Sequence, residues 1–380
     1  MWAMLAAANL ASAVVVFRRD DFQIMHAWTT AWLFNGVNLF DAAYWPTDYP
    51  PNGIVALSPI ALLSFDTMSW LWLLGAMALA AWTPTLAARV MRADASREDI
   101  AILTLTFLCW SGTRTLLQFS LLPMCLGLAA WRLADRKPWT AGALLGLSLL
   151  KPQVALPFCL WVLVTGRWRL VASSVATVAA LVGVYCARVG LDPLTVAAGY
   201  ISILTRLYTG TERQVGVSEL KRLVPEPYTD SWGMVIVVTL FVVVLVTTFV
   251  ARRRSGADES IGELRGLPGL TAAAVLLAFR HLSLAFVTLL TASAFLLLDG
   301  DASTRARRRP FFWALQAGLI VDLPTAQRQL EAFHVPLGWL GTLMSHGDRA
   351  LVLGCFLVLL VCQWRQAPAL PVTSSLARVS

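Results

Sequence analysis

The chain has 380 residues, of which 58% are hydrophobic and 14% charged, and its mean hydropathy is +0.67. Soluble domains carry about 25% charged residues, so the composition excludes an ordinary soluble globule and fits a polytopic membrane protein. The net charge of +8 does not indicate nucleic-acid binding: the basic residues are mostly Arg, gathered in short stretches between apolar runs, as in cytoplasmic loops.

The first apolar run, Met1 to Phe17, contains "ASA" but has no basic segment before it, so it reads as a short first spanning helix and not as a cleaved signal. "FRRDDFQIM" follows, with Arg18, Arg19, Asp20 and Asp21 side by side at the membrane edge. Apolar residues then recur at Phe22, Met25, Trp28, Trp32 and Leu33. That spacing predicts an amphipathic helix lying in the interface, with Trp28 and Trp32 as anchors and Asn35-Gly36 as its end. "YWPTDYPPN" and "LSP" predict extended and turn-forming chain, because proline fixes φ.

Further apolar runs lie near 67–88, 99–112, 116–134, 139–150, 153–165, 170–187, 233–251, 267–279, 282–298, 311–322 and 350–364. The pair 139–150 and 153–165, broken at "KPQ", reads as two short helices or one re-entrant hairpin. The expected fold is all-α: a polytopic integral membrane protein of about twelve transmembrane helices, with the interfacial helix in the first outer loop. Residues 1–365 form one membrane-embedded domain, and 366–380 a loose cytoplasmic tail. Sixteen Trp suit rings at the two bilayer interfaces.

Alternating from a cytoplasmic N-terminus puts 18 of the 30 basic residues inside, with 9 of the 22 acids. Each tight Arg cluster except Arg18–Arg19 then faces the cytoplasm, as the positive-inside rule requires. Both termini are expected in the cytoplasm of a bacterial-type plasma membrane. The long stretches 18–66, 188–231 and 323–348 become outer loops. The second holds Arg206, Tyr208, Glu212, Arg213, Lys221, Arg222 and Tyr228, suited to sugar and phosphate contact or simply to solvent.

The six Cys show no C-x-x-C spacing and fall in or beside apolar runs, so they read as small core residues. Four scattered His without H-E-x-x-H, and the lack of a phosphate-binding glycine loop, give no reason to expect a metal, a nucleotide-sugar donor or any other cofactor.

Asp20 and Asp21 have two readings: a solvated pair neutralised by Arg18 or Arg19, or a carboxylate held above the bilayer as a general base. Adjacent residues on a helix point apart, so one of the two at most faces a given cavity. Arg114, Lys151, Arg280 and His281 lie at outer helix ends or in short outer turns, within or beside apolar sequence. Ionisable groups in such places are functional candidates; the alternative for Arg114 is a snorkelling side chain.

"DDFQIMHAWTTAWLFNGVNLFDAAYWPTDYPP" resembles the first outer loop of the membrane glycosyltransferases of family 87, in the C-type superfamily. Asp21-Phe22, Gly36, Phe40-Asp41 and Tyr49-Pro50-Pro51 match that pattern in order. A second block, "RTLLQFSLLPMCLGLAAWRLADRKPWTAGALLGLSLLKPQVALPF", resembles the family's Gly-Gln block, small-residue helix and Lys-Pro element, with Gln118 and Lys151-Pro152 in those positions. Leu117 stands where the family usually has Gly. The likeness covers Asp20 to Gly190; the remainder is alike in hydropathy alone.

The resemblance implies transfer of a sugar, mannose first and a pentose second, from a polyprenyl-phosphate donor to a lipid or glycan acceptor on the outer face. Asp21 is then the base, with Asp20 as runner-up. Arg114, Lys151, Arg280 and His281 bind the donor phosphate. Gln118, Asp41 and Tyr49 position substrate, although Gln118 also suits a link between helices, and Asp41 and Asp48 also read as ordinary loop acids. The expected partners are membrane lipids, donor and acceptor, with no nucleic acid. The competing classes are a lipid or small-solute transporter and a non-catalytic chain on the same fold. A transporter predicts paired hydropathy repeats, and no internal repeat is visible.

Overall fold

The computed structural model describes residues 20–41, 47, 49–115, 119–209, 229–254, 264–278, 287–321 and 337–366, together with positions 4, 6, 7, 327, 330 and 331. The first expected span therefore lies outside the described residues but for three positions, and the tail 367–380 lies outside them entirely. Among the described residues there are fifteen α-helices and no strand, so the chain is all-α.

The first helices are α1 (Asp20–Asn35), α2 (Pro51–Leu57), α3 (Phe65–Met91), α4 (Arg97–Thr115) and α5 (Leu121–Leu133). A 3₁₀ turn, Ser58–Leu62, joins α2 to α3. Next come α6 (Pro138–Ser148), α7 (Pro152–Val164), α8 (Trp168–Val189), α9 (Pro193–Thr209) and α10 (Thr229–Arg254). The last five are α11 (Leu267–Ala278), α12 (Leu289–Leu298), α13 (Ala302–Val321), α14 (Trp339–Ser345) and α15 (Gly347–Gln366).

Two helices, α3 and α8, are long and apolar enough to cross a bilayer, and seven shorter apolar helices of 10–17 residues accompany them. Five of the apolar runs counted as passes in the sequence form helices of only 10–13 residues. A helix of 13 residues rises about 20 Å at 1.5 Å per residue, short of the roughly 30 Å hydrocarbon core. The stretch broken at "KPQ" forms two separate helices, α6 and α7, with Pro152 at the first position of the second. The outer stretch 188–231, read as loop, contains α9. Asp192 starts that helix by accepting from the amides of Leu194 (2.9 Å) and Thr195 (3.0 Å), the role expected of an acid just before a helix. These bonds and the Thr195 hydroxyl hold the Asp192 carboxyl below the usual carboxylate range.

The buried apolar residues form two cores. The larger joins α3 to α7 with α10 to α13 and α15. The smaller gathers α1, α2, the 3₁₀ turn, Phe119, Leu150, the end of α8 and one face of α9. Within the larger core, Trp110 Nε1 donates to Gln316 Oε1 (3.0 Å), and Gln316 Nε2 donates to Ser293 Oγ (2.8 Å). This chain links α4, α13 and α12, as polar side chains do between membrane helices.

The Arg-rich helix ends meet on one side of the bundle. Arg167 pairs with Asp135 (2.7 Å), and Arg265 donates to the Met91 carbonyl (2.8 Å) and lies 3.9 Å from Asp299. Asp299 and Arg308 form an ion pair at 3.0 Å with both side chains buried, and the guanidinium covers the Phe295 ring at 4.5 Å. The cytoplasmic clusters expected from the charge pattern therefore share one end.

Helix α6 packs closely on α8 through Gly142 and Gly146, four residues apart on one face. A Cβ at Gly142 would lie 2.5 Å from the Leu170 carbonyl oxygen, and one at Gly146 2.8 Å from that of Ser174. Small residues at this spacing let helix backbones approach, and Ser173 Oγ reaches the Trp139 carbonyl at 2.7 Å. Gly142→Ala is expected to cost about 1–3 kcal/mol through overpacking. Gly75→Ala, where a Cβ meets nothing within 4 Å, should leave stability unchanged or slightly raised. Thermal unfolding of both variants in detergent checks this.

Candidate functional site

At the end of the bundle opposite the Arg clusters, an aromatic cluster surrounds Phe119. Phe22, on the first turn of α1, stacks on it at 5.9 Å between centroids. Trp72 from α3 lies at 4.5 Å, and Tyr49, just before α2, meets it edge-on at 6.1 Å. Phe119 lies two residues before α5, and three separate parts of the chain converge on its ring.

Lys151 stands beside this cluster in the turn between α6 and α7. Pro152 restricts the residue before it to extended backbone, and Lys151 has φ −133° and ψ 88°. Its Nζ donates to the Oγ of the buried Ser120 at 2.7 Å and sits 5.7 Å from the Tyr49 ring centroid. A cation at a helix N-terminus adds to the positive end of the helix dipole instead of cancelling it. The corner is therefore positively polarised and walled by aromatic rings, a setting in which an anion gains more than it would in water.

Helix α1 is fastened to the bundle at its other end. Gly36 (φ +65°) closes α1, and the Val37 amide bonds back to the Ala31 carbonyl at 3.2 Å, a left-handed stop that glycine adopts without a Cβ clash. Arg188, in the last turn of α8, donates to the carbonyls of Leu33 (2.9 Å) and Phe34 (2.8 Å). The Tyr185 hydroxyl accepts from the Leu39 amide (2.9 Å) and donates to Asn38 Oδ1 (3.3 Å), while its ring stacks on Trp32 at 5.7 Å.

Of the residues singled out in the sequence, Lys151 and Tyr49 come together. Asp20 and Asp21 open α1, but their side chains lie outside the described residues, as does that of Arg114 on the last turn of α4. Gln118, Arg280, His281 and Asp48 lie outside them altogether. Phe22, which follows Asp21, and Phe119, which follows Gln118, are the stacked pair. Asp41 is exposed and follows Phe40, which packs on Tyr185 (5.2 Å) and Tyr200 (5.5 Å). That group adjoins Trp32, about 15 Å along α1 from Phe22 at 1.5 Å per residue, so Asp41 belongs to the fastening end. Trp32 is 2% exposed. It anchors α1 to protein and not to lipid headgroups, because Tyr185 of α8 stacks on it; Trp28 is half-buried.

A model of glycosyltransferase family 87 matches residues 47–264. The chain belongs to glycosyltransferase family 87. No curated protein and no solved structure matches it. The family 87 match spans Tyr49, Trp72, Ser120, Lys151, Tyr185 and Arg188, and it begins after α1. Membership makes the protein a glycosyltransferase, and with the apolar helices it indicates a membrane protein. It favours the enzyme over the transporter.

Ser120, Tyr185 and Arg188 were not singled out in the sequence. Ser120 sits two residues beyond Gln118, but a serine there has no local signature of a lysine 31 positions away. Tyr185→Phe keeps the ring stacked on Trp32 and removes the acceptor of the buried Leu39 amide, so about 1–3 kcal/mol of stability should be lost. Hydrogen exchange should show faster exchange at Leu39 and unchanged protection in α3.

Proposed function

We propose that this family 87 glycosyltransferase moves a sugar, mannose in the first instance, from a polyprenyl-phosphate donor to a lipid or glycan acceptor on the outer face of the membrane. The observation that carries this reading is the Lys151 ammonium, bonded to Ser120 and held beside Tyr49 where the Phe22 and Phe119 rings stack. A fixed cation in an aromatic, poorly hydrated corner is suited to a phosphate leaving group.

Helix length supports a lipid-borne donor. Helices α5, α6 and α7 have 13, 11 and 13 residues, so they rise about 16–20 Å from the Arg-rich end. In a hydrocarbon core of roughly 30 Å, their far ends stop about 10 Å below the outer surface, which is where Ser120 and Lys151 sit. A phosphate carried on a polyprenyl chain arrives at that depth without leaving the bilayer.

The reaction is one displacement. Asp21 takes the proton from the acceptor hydroxyl, the oxygen forms a bond to the anomeric carbon, and the bond from that carbon to the phosphate oxygen breaks. The electron pair leaves with the polyprenyl phosphate, and the anomeric configuration inverts. Phosphate leaves without a protonating acid, so one carboxylate suffices. Lys151 stabilises the developing charge; Arg114, Arg280 and His281 are further candidates for this. Gln118 and Tyr49 orient the sugar, and Asp20 is the second candidate for the base.

The test supplies radiolabelled polyprenyl-phosphate mannose and a bacterial lipid extract to the purified protein. Wild type should yield labelled lipid, and Asp21→Asn should lose about 10²–10⁴-fold in kcat, the share of a general base, with its melting temperature kept. Equal product from both removes Asp21 from this role. Lys151→Met should lose about 10²-fold or more, as on losing one charge-stabilising donor.

A further inference from the structure

Two polar groups beside the Lys151 corner are buried and lack a hydrogen-bond partner among the described residues: the Asn52 amide Nδ2 and the Trp72 indole Nε1. Asn52 is only 4% exposed. Buried donors in native proteins are nearly always satisfied, because leaving one unpaired costs its full desolvation. Neither group is displaced from the site. Trp72 packs on Phe119 at 4.5 Å and on Phe22 at 6.2 Å. Asn52 is three residues beyond Tyr49, whose ring adjoins Lys151. The next residue, Gly53, lies so close to the turn before Lys151 that a Cβ on it would be 2.9 Å from the Leu150 carbonyl oxygen.

Aromatic packing explains the Trp72 ring but not its N–H, since Phe at this position would make the same contacts without a stranded donor. An asparagine on the first turn of a short buried helix likewise adds nothing to packing that leucine lacks. Both groups are neutral, whereas the neighbouring cation already suits the phosphate. A sugar hydroxyl both donates and accepts, so it satisfies an indole N–H and either end of an amide.

We propose that Asn52 and Trp72 are hydrogen-bonding ligands for the sugar hydroxyls of the lipid-linked donor. The proposal rests on the reading of Lys151 as the contact to the donor's phosphate, and it adds two binding residues that the motif pattern does not include. The bound sugar supplies the partners that these polar atoms lack among the described residues. Specificity follows from the same geometry, since a donor lacking the matching hydroxyl leaves them unpaired.

The test measures binding separately from transfer. Wild type, Trp72→Phe, Asn52→Leu and the lipid-facing control Trp82→Phe are titrated with polyprenyl-phosphate mannose and with sugar-free polyprenyl phosphate, following the ligand-induced rise in melting temperature. Wild type and control should bind both lipids. Trp72→Phe and Asn52→Leu should each lose about fivefold to tenfold in affinity for the sugar lipid, the size of one net hydrogen bond. Their affinity for polyprenyl phosphate should stay within twofold, and their unliganded melting temperatures should be unchanged or higher. Trp72→Phe keeps its ring contacts and carries the test alone where Asn52→Leu does not fold.

Affinities for the sugar lipid within twofold of wild type, equal losses with both lipids, or no stabilisation of wild type by the sugar lipid each overturn the proposal. The transfer assay, run beside it, judges the enzyme reading by itself: wild type that binds the sugar lipid without transferring sugar sinks that reading and leaves the two ligands standing on their binding data.

Discussion

Helices of 11 to 13 residues are too short to cross a hydrocarbon core of roughly 30 Å, and the ends of α5, α6 and α7 beside Lys151 are covered by other parts of the chain. At that end the last turn of α6 and the first turns of α5 and α7 would otherwise leave backbone carbonyls and amides without cover. The first outer loop fills the gap. Helix α1, the Tyr49–Pro51 segment and α2 cover the ends of the short helices and bring a second small apolar core with them. Lys151 and Ser120 thus lie inside protein at the ends of the short helices.

Two kinds of contact hold that cover in place. Ring stacking around Phe119 sets the beginning of α1, and hydrogen bonds from Tyr185 and Arg188 set its end. Both fasteners are on parts of the bundle that are themselves braced: α8 by its close approach to Gly142 and Gly146, and Ser120 by Lys151 across the turn. The position of α1 therefore depends on helices elsewhere in the bundle, the usual relation between a rigid scaffold and the segment it holds.

Much of this was legible in the sequence. Hydropathy and the Arg clusters gave the membrane class and the common end of the basic residues. Asn35-Gly36 marked the end of α1, and Lys151-Pro152 marked a break with a cation in it. What periodicity could not say was what lies against an apolar face. Trp32 looked the same whether lipid or Tyr185 covered it, and only the fold decides. Tyr185 meets Leu39 across 146 positions and Arg188 meets Leu33 across 155, so no local pattern encodes either bond. Helix length was hard to read for a related reason: an apolar run reports burial, and a short helix inside a bundle is buried as fully as a long one. Helix α9 did carry a signal, Asp192 followed by Pro193, but its setting in a long outer stretch favoured a reading as loop.

The Asp299–Arg308 pair changes how a count of basic residues translates into charge at the surface. Both side chains are 6% exposed, and Arg308 also rests on Phe295. Within that basic stretch the pair cancels internally and contributes almost no field outside the protein, whereas Arg307 and Arg309 remain exposed. The surface at that end of the bundle therefore carries fewer positive groups than a tally of letters implies. Arg308 is a fixture of the helix bundle, and its exposed neighbours supply the charge that the surroundings meet.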